Sequence, residues 1–317
     1  MGTPYVLPST LINAPTGIDW STLPVPDSTA EEQLSVQWEM CVRATAVTDA
    51  FCNMPLRATI NTQITPGPWP HYGVTVDPYS GVGRMRMDNW PVLAIVSAQI
   101  SAAATFPPAW TTLTAQNMYI EGGVPLLQGS AAIGAAAQGS NAIDFAPGTL
   151  SYSFGKRGFL LSVTYLNGWP HAGVVAATVA GTTTSIDVDD VTGWTIATPQ
   201  LPMVGMIASS AGREYVSVTG TTPSGTNASG PGTLTLAAPT LYSHAAPTSN
   251  IPDALITTLP EQVERAVIWL SLADALVRGA TAITVPDLPG AEIHEKGGDG
   301  MDLLAYEQLL PFKRVTF

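Results

Sequence analysis

The sequence predicts an α+β fold in which a small α-helical bundle is interrupted by a large antiparallel β region and by a second, smaller β-barrel or sandwich insertion. Two helical patterns lie near the two ends of the chain, and about 200 residues with strand-like alternation separate them. Each helical stripe must be buried, and the stripes are the nearest partners for each other. We therefore expect a helical body formed by residues 28–53, 260–279 and 302–310.

The first helix is predicted over residues 29–52. Ser28 can accept a hydrogen bond from a free helix N–H, and Glu31 follows three residues later, which is the pattern of a capping box. The stripe behind this start has spacings of four and three and consists of Leu34, Trp38, Cys41, Thr45, Thr48 and Cys52. Along a helix, Cys41 and Cys52 are separated by a rise of roughly 16 Å, so no disulfide can join them. Both are expected to be thiols in the core of a protein from a reducing compartment.

Strand patterns dominate after this helix. Residues 57–173 are predicted to form an antiparallel β domain, because alternating segments such as Val92–Ala102 are separated by Gly and Pro clusters. Residues 122–143 are low in complexity and rich in Gly, Ala and Ser, which predicts a loop that orders only on assembly. Residues 174–250 are predicted to be an inserted small β domain whose four short strands include Gly232–Leu236.

The chain is predicted to return to helix after this insertion. Thr258 and Glu261 repeat the start signal, with Pro260 at the first helical position. The second stripe consists of Val263, Ala266, Val267, Leu270, Ala273 and Val277. A short helix follows near the C-terminus and stops before Pro311. Residues 1–56 and 251–317 are therefore assigned to one helical body.

Composition limits the classes of function. Charged residues make up 11% of the chain, against roughly 25% in a typical globular domain. So little charge is typical of a surface covered by neighbouring subunits, although a bias toward Ala, Thr and Gly is an alternative explanation. The net charge of −12 argues against a surface that grips duplex DNA. The longest apolar run, Val92–Ala104, is too short for a transmembrane helix, so no membrane partner is expected.

Signals for catalysis or metal binding are nearly absent. The sequence has no phosphate-binding loop, no metalloprotease motif and no nucleophile elbow. The four histidines have no metal-ligand spacing and are expected to be structural: His71, His171, His244 and His294. Asp187, Asp189 and Asp190 form the densest acidic group, but without the Gly and Glu of an EF-hand loop they favour a solvated turn over a calcium site. No catalytic residue, metal site or cofactor is predicted.

Four tryptophans lie beside turns or strand ends, namely Trp69, Trp90, Trp169 and Trp194. If their rings were exposed in a row they could stack on sugars, which would indicate a carbohydrate-binding module. Packing in the core and at its corners is the favoured interpretation, because large aromatic side chains are buried on average.

Several motifs together resemble a known family. They are Asp88–Val92 (DNWPV), Thr105–Trp110 (TFPPAW), Tyr165–His171 (YLNGWPH), Asp189–Trp194 (DDVTGW) and Leu309–Arg314 (LLPFKR). Their order, with the helix–β–helix layout, resembles the head-to-tail connector (adaptor) proteins of long-tailed bacteriophages, and most closely the larger versions found in actinobacterial phages and prophages. The resemblance extends over nearly the whole chain.

The resemblance implies a structural virion protein and no enzyme. Such proteins form a ring, usually of twelve copies, between the portal protein of the filled head and a head-closure (stopper) or tail-terminator protein. Genomic DNA passes through the channel without specific binding, and an acidic channel would let it slide because like charges repel. The expected location is the neck of the virion, after assembly in the cytoplasm of the host bacterium.

The end of the chain is the expected docking element for a partner. It consists of Phe312, Lys313, Arg314, Val315 and Phe317, where relatives often carry a Tyr and paired arginines. A basic and apolar tail is unusual in an acidic chain and suits an acidic neighbouring subunit or the portal. Two alternatives remain open: a carbohydrate-binding or decoration protein of a phage tail or capsid, and a hydrolase whose catalytic groups meet only in the folded chain.

Overall fold

The computed structural model describes most of the chain in ranges separated by gaps. The described residues are 3–14, 18–20, 23, 28–68, 73–102, 107–114, 117–120, 142–147, 149–150, 158–174, 179–244, 251–278, 281–282 and 299–314. The chain divides into two compact units. Unit 1 comprises residues 1–56, 170–191 and 204–317, and unit 2 comprises residues 57–169 and 192–203.

Four α-helices occur in the described ranges, all in unit 1. They are α1 (Pro8–Asn13), α2 (Ala30–Cys52), α3 (Glu261–Val277) and α4 (Asp299–Leu309). Met40 and Cys41 of α2 share a buried apolar cluster with Leu272 and Ala275 of α3, and Met301 of α4 belongs to the same cluster. Most members of the two predicted stripes are thus buried, as their spacing requires, whereas Leu34 and Trp38 are partly buried and Val277, at the end of α3, is 80% exposed.

The capping box of α2 lies one residue later than the sequence pattern suggests. Thr29, not Ser28, is the N-cap: its hydroxyl accepts the Glu32 N–H at 3.3 Å, and the Glu32 carboxylate accepts the Thr29 N–H at 2.8 Å. The Glu32 carboxylate also accepts the Thr29 hydroxyl at 2.8 Å, and the two bonds from the Thr29 N–H and hydroxyl hold the pKa of Glu32 below its usual value. The helix ends at Asn53, whose φ of 57° is a left-handed cap. The predicted helix over 29–52 is therefore confirmed.

Sixteen strands occur in the described ranges. They are β1 (Ile18–Asp19), β2 (Thr59–Gly67), β3 (Val74–Val76), β4 (Gly83–Arg86), β5 (Val92–Ala102), β6 (Thr111–Thr112), β7 (Met118–Ile120), β8 (Ala142–Phe145), β9 (Phe159–Asn167), β10 (His171–Gly173), β11 (Ser185–Val188), β12 (Met203–Ser209), β13 (Gly212–Pro223), β14 (Gly232–Leu236), β15 (Ala254–Thr257) and β16 (Thr281–Ala282). β1 and β16 form a two-stranded sheet.

Unit 1 contains a six-stranded sheet in the order β10-β15-β12-β13-β14-β11. β15 lies between β10 and β12, with Ile256 opposite Ala172 on one side and Ile207 on the other. All three of these side chains are buried. The sheet thus joins a strand that precedes the predicted insertion to one that follows it.

Unit 2 contains two four-stranded sheets with a common core. One has the order β2-β9-β5-β6 and the other β3-β4-β8-β7. Val163 and Tyr165 of β9 pack in one apolar cluster with Met85 of β4 and with Ile143 and Phe145 of β8. Each of these five side chains is fully buried, so the inner faces of the two sheets form the core.

The predicted fold class is wrong. The structure is mixed α/β and dominated by strands, with antiparallel sheets instead of a helical bundle. Trp38 of α2 shows the physical reason, because it packs with Met206 of β12, Leu255 of β15 and Leu7 before α1. The apolar surface of α2 is therefore shared between α3 and a sheet, and the helices do not form a body by themselves.

Candidate functional site

The segment after α4 lies against the C-terminal end of α2. A 3-10 turn at Leu310–Phe312 buries the Phe312 ring. The Arg314 N–H donates to the carbonyl oxygen of Cys52 at 2.9 Å, and the Asn53 side-chain amide donates to the carbonyl oxygen of Arg314 at 3.2 Å. One bond from the backbone and one from the Asn53 side chain therefore anchor the backbone at Arg314, and the basic side chains of the segment project from this anchored backbone.

An aromatic pair lies beside this anchor. Phe51 stacks on Tyr306 of α4 with 4.6 Å between ring centroids, and the Lys313 Nζ atom lies 4.5 Å from the centroid of the Phe51 ring. A cation over an aromatic face is attracted by the ring quadrupole. Burial raises the pKa of Tyr306, and the negative charge of Asp302 raises it further. The contacts join α2, α4 and the C-terminal segment.

The five predicted docking residues have different positions. Phe312 is buried within unit 1, Lys313 is exposed and Arg314 is partly exposed, while Val315 and Phe317 lie outside the described residues. The exposed surface of the segment thus carries two basic side chains. Leu310, three residues before Lys313, is 59% exposed and adds an apolar side chain to this surface.

The acidic group at 187–190 is used for structural hydrogen bonds. The Asp189 carboxylate accepts the Gly173 N–H at 2.5 Å and the hydroxyl of Thr3. Asp187 accepts the Thr233 hydroxyl at 2.6 Å, and Asp190 accepts the Gly230 N–H at 3.2 Å. Burial raises the pKa of Asp189 even though its two hydrogen bonds oppose that shift.

The three carboxylates therefore have different partners and do not converge on one point. Across the described ranges, no group of three or more His, Cys, Asp or Glu side chains is placed to hold a metal ion.

A buried polar cluster that the sequence did not predict lies between β12, β13 and the segment before residue 245. His244 Nε2 lies 2.8 Å from Glu214 Oε1, and His244 Nδ1 lies 2.7 Å from the hydroxyl of Ser209. The second Glu214 oxygen accepts the Leu241 N–H at 2.7 Å. A serine, a histidine and a carboxylate in this order resemble the groups of a nucleophilic hydrolase.

The surroundings of Ser209 favour a structural role over catalysis. Its hydroxyl accepts the Ala211 N–H at 3.2 Å within the turn that joins β12 to β13. Ser209, Glu214 and His244 are all buried, and the Ser209 hydroxyl is hydrogen-bonded within its own turn and to His244. The cluster satisfies buried polar groups and ties the β12–β13 turn to residues 241–244.

One sequence signal could have revealed the cluster. Glu214 occupies an inward position of β13, in alternation with the apolar Val216 and Val218. A carboxylate at an inward strand position must find a partner, because burial of an unpaired charge is costly. His244 was available for that pairing, but its distance along the chain hides the contact from any local pattern.

A cavity of about 360 Å³ lies between α1, the β12–β13 turn and α3, and Ser209 of the cluster is one of its lining residues. Its lining includes two ion pairs, Arg213 with Glu264 and Arg265 with Glu261, the latter at 2.7 Å. Burial raises the pKa of Glu264, and the positive charge of Arg213 opposes that shift. The paired charges cancel, so the lining offers no net charge for an ionic ligand.

The exposed row of tryptophans that a carbohydrate-binding module would need is not assembled on the described surface. Trp169 and Trp194 are buried. Trp90 is half-buried and packs edge-on against Trp169 with 6.0 Å between ring centroids, and Trp69 lies outside the described residues. Buried rings cannot stack on a sugar, so Trp169 and Trp194 are core residues.

His171 has a structural position in unit 1. Its Nε2 donates to the Pro4 carbonyl oxygen at 2.8 Å, and its Nδ1 lies 2.9 Å from the Thr257 hydroxyl. The ring also packs edge-on against Tyr5. His171 thereby ties the N-terminal segment to the β10–β15 pair. His71 and His294 lie outside the described residues.

Comparison with known proteins does not assign a function to any of these sites. No helix in the described part of the chain is long and apolar enough to cross a membrane. No family model, no curated protein and no solved structure matches the chain.

Proposed function

We propose that this chain is a head-to-tail connector of a long-tailed bacteriophage, which forms a ring between the portal and the stopper or tail. The observation that carries the proposal is the C-terminal segment. It presents Lys313 and Arg314 from an anchored backbone in a chain whose net charge is −12. A basic element on an acidic protein is suited to an acidic neighbour, because complementary charge steers association and fixes its register.

Exposed apolar side chains support an assembled state. Leu303 and Leu310 on the α4 side, and Val277 at the end of α3, are all more than half exposed. Side chains of this type are common in the contact between subunits, whereas charged side chains are depleted there. A chain with 11% charged residues therefore has a surface that suits coverage by neighbours.

The net charge also suits a DNA channel. A duplex slides past a surface that does not replace its counterions, and an acidic surface repels phosphate. The ring would therefore enclose the genome without holding it. Assembly of the ring, and no chemical step, is the activity proposed here.

The test is assembly in the phage or prophage that encodes the chain. Exchange of both basic residues, Lys313→Glu with Arg314→Glu, leaves the backbone donor and acceptor of Arg314 in place, reverses the charge of the segment and removes the contact of Lys313 with Phe51. We expect filled heads without tails by electron microscopy and a loss of infectious titre of at least a hundredfold. Normal tailed particles from this variant would contradict the proposed docking element.

A matched control exchanges Arg43→Glu with Arg265→Glu. Both side chains are exposed on helices and pair with acidic residues four positions away, and Arg43 also pairs with Asp274 of α3. The change in net charge is the same because each double exchange replaces two basic residues by two acidic ones. The control is expected to give tailed particles. Purified wild-type protein viewed by negative stain provides the independent test of the ring, and a chain that is dispensable for tail attachment would overturn the function.

A further inference from the structure

The cavity between α1, the β12–β13 turn and α3 contains two guanidinium groups and two carboxylates. Arg213 pairs with Glu264, and Arg265 pairs with Glu261 four residues away on the same helix. The charges of Arg213, Glu261 and Arg265 all act on the Glu264 carboxyl group, so the two pairs are close to each other. We call these four residues the Arg213 network. Its positive and negative charges are equal in number.

We propose that this cavity binds a neutral saccharide. The inference is independent of the proposed ring and adds a binding site to the chain. A ligand with a net charge gains little from a lining whose charges already cancel. A saccharide has no charge, and each of its hydroxyl groups both donates and accepts hydrogen bonds. It can therefore bind the donors and the acceptors of the Arg213 network while both ion pairs stay intact.

The ion pairs hold these donors and acceptors in place before a ligand binds. A guanidinium group has five N–H donors in one plane, and a carboxylate has two acceptor oxygens. Each pair joins one guanidinium nitrogen to one carboxylate oxygen. Further N–H groups and the second oxygen of each pair remain for the hydroxyl groups of a sugar. Because the side chains are already ordered by the pairing, a ligand loses less free energy in fixing them.

Other residues of the lining extend this arrangement. Thr10 and Asn13 of α1 add a hydroxyl and an amide group, and the Asn13 amide both donates and accepts. Ala14 and Ile268 add apolar side chains that can contact the C–H groups of a sugar ring. The described lining contains no aromatic ring on which a sugar could stack, so we expect weak binding, with a Kd of about 1–10 mM.

The size and the access of the cavity fit one sugar ring. A cavity of about 150 Å³ holds benzene, so the 360 Å³ of this cavity accommodates a six-membered ring with its hydroxyl groups. The side chain of Glu264 is only 12% exposed, whereas the other three members of the network are roughly half exposed or more. A ligand can therefore reach the network from solvent.

The experiment measures the binding of single sugars to the full chain by saturation-transfer difference NMR and isothermal titration calorimetry. The probes are D-glucose, D-galactose, D-mannose and N-acetyl-D-glucosamine, each up to about 50 mM. Phosphate, spermidine and free glycine test an anion, a cation and a zwitterion under the same conditions. Arg265→Ala removes one guanidinium group of the lining. Arg43→Ala is the matched control, because Arg43 is also exposed on a helix and paired four positions away but does not line the cavity.

We expect at least one sugar to bind the wild type and Arg43→Ala equally and to bind Arg265→Ala at least about fivefold more weakly, because hydrogen bonds to a charged group are lost. Glu261→Gln should weaken the same sugar and takes the place of Arg265→Ala if circular dichroism shows that this variant does not fold.

Three results would overturn the inference. They are no binding of any of the four sugars up to about 50 mM, equal binding by the wild type and the cavity variants, and binding of phosphate, spermidine or glycine in place of the sugars. None of these results bears on the ring, which is decided by the particle assay of the Lys313 and Arg314 variant.

Discussion

The ammonium group of Lys313 lies 4.5 Å from the centroid of the Phe51 ring, and the same ring stacks on Tyr306. Phe51 lies in the last turn of α2, whereas Tyr306 and Lys313 belong to the C-terminal part of the chain. One aromatic side chain therefore contacts both α4 and the proposed docking segment.

Replacement of Phe51 by Leu is expected to lower the stability of unit 1. Leucine keeps an apolar contact but loses the stack and the cation–π contact, which together are worth about 1–2 kcal/mol. Urea unfolding followed by circular dichroism measures the effect. Lys313→Met, which keeps the Phe51 ring, isolates the cation–π contact and should cost about 0.5 kcal/mol. Equal midpoints for wild type and Phe51→Leu would contradict the prediction.

Asp189→Asn and Asp189→Ala are expected to have different effects on the stability of the fold. Because burial raises the pKa of Asp189, its charged form is disfavoured in the fold, and the stability that this group contributes decreases as the pH rises through the raised pKa. Asn can still accept the Gly173 N–H without a charge and should equal or exceed the wild type at pH 7. Ala leaves buried groups without a partner and should cost about 1–3 kcal/mol. Melting temperatures measured in steps from pH 3, below the usual pKa of 3.8, to pH 7 test both statements.

Ser209→Ala is expected to destabilise the β12–β13 turn. No hydrolase activity is expected to depend on Ser209. The substitution removes the acceptor of the Ala211 N–H and the partner of His244 Nδ1, a cost of about 1–3 kcal/mol. A fluorophosphonate probe should not label Ser209 in the native wild type, because Ser209 is only 5% exposed and its hydroxyl accepts the Ala211 N–H. Stoichiometric labelling that is lost in Ser209→Ala would instead establish a nucleophile.

The thiols of Cys41 and Cys52 should make the folded chain less stable as the pH becomes alkaline. Burial raises the pKa of both Cys41 and Cys52 to about 12, from 9.0 for a free thiol. Between these values the unfolded chain loses a proton that the folded chain keeps, so stability decreases with rising pH by about 1.4 kcal/mol per pH unit for each thiol. Thermal unfolding of wild type and Cys41→Ala at pH 8 to 10.5 tests this. The variant should show the shallower decline, and parallel curves would refute the assignment.

Gly232→Ala is expected to destabilise the pairing of β13 with β14. A Cβ atom at Gly232 would lie 2.6 Å from the Thr222 carbonyl oxygen and 2.8 Å from a Val191 methyl group. Overpacking of this kind costs about 1–3 kcal/mol. Gly225 is the matched control, since a Cβ there meets nothing within 4 Å. A change in melting temperature that is the same for both alanine variants would contradict the steric cause.

The sequence by itself determined the local elements. The cap and the apolar spacing predicted α2, and the start at Pro260 predicted α3, which begins at Glu261. Strands β5 and β14 have the predicted bounds, Val92–Ala102 and Gly232–Leu236. These elements could be predicted because helix bonds join residues four apart and strand alternation is a local pattern.

Tertiary structure alone decided the fold class and the polar cluster. Nothing near Trp38 in the sequence indicates that this side chain packs on Met206 of a sheet as well as within a helical core. Likewise, Ser209, Glu214 and His244 belong to three different segments, and only the folded sheet brings their polar atoms within hydrogen-bond distance. Such contacts form when the surfaces of elements far apart along the chain are buried against each other. No local pattern of residues specifies which elements these are.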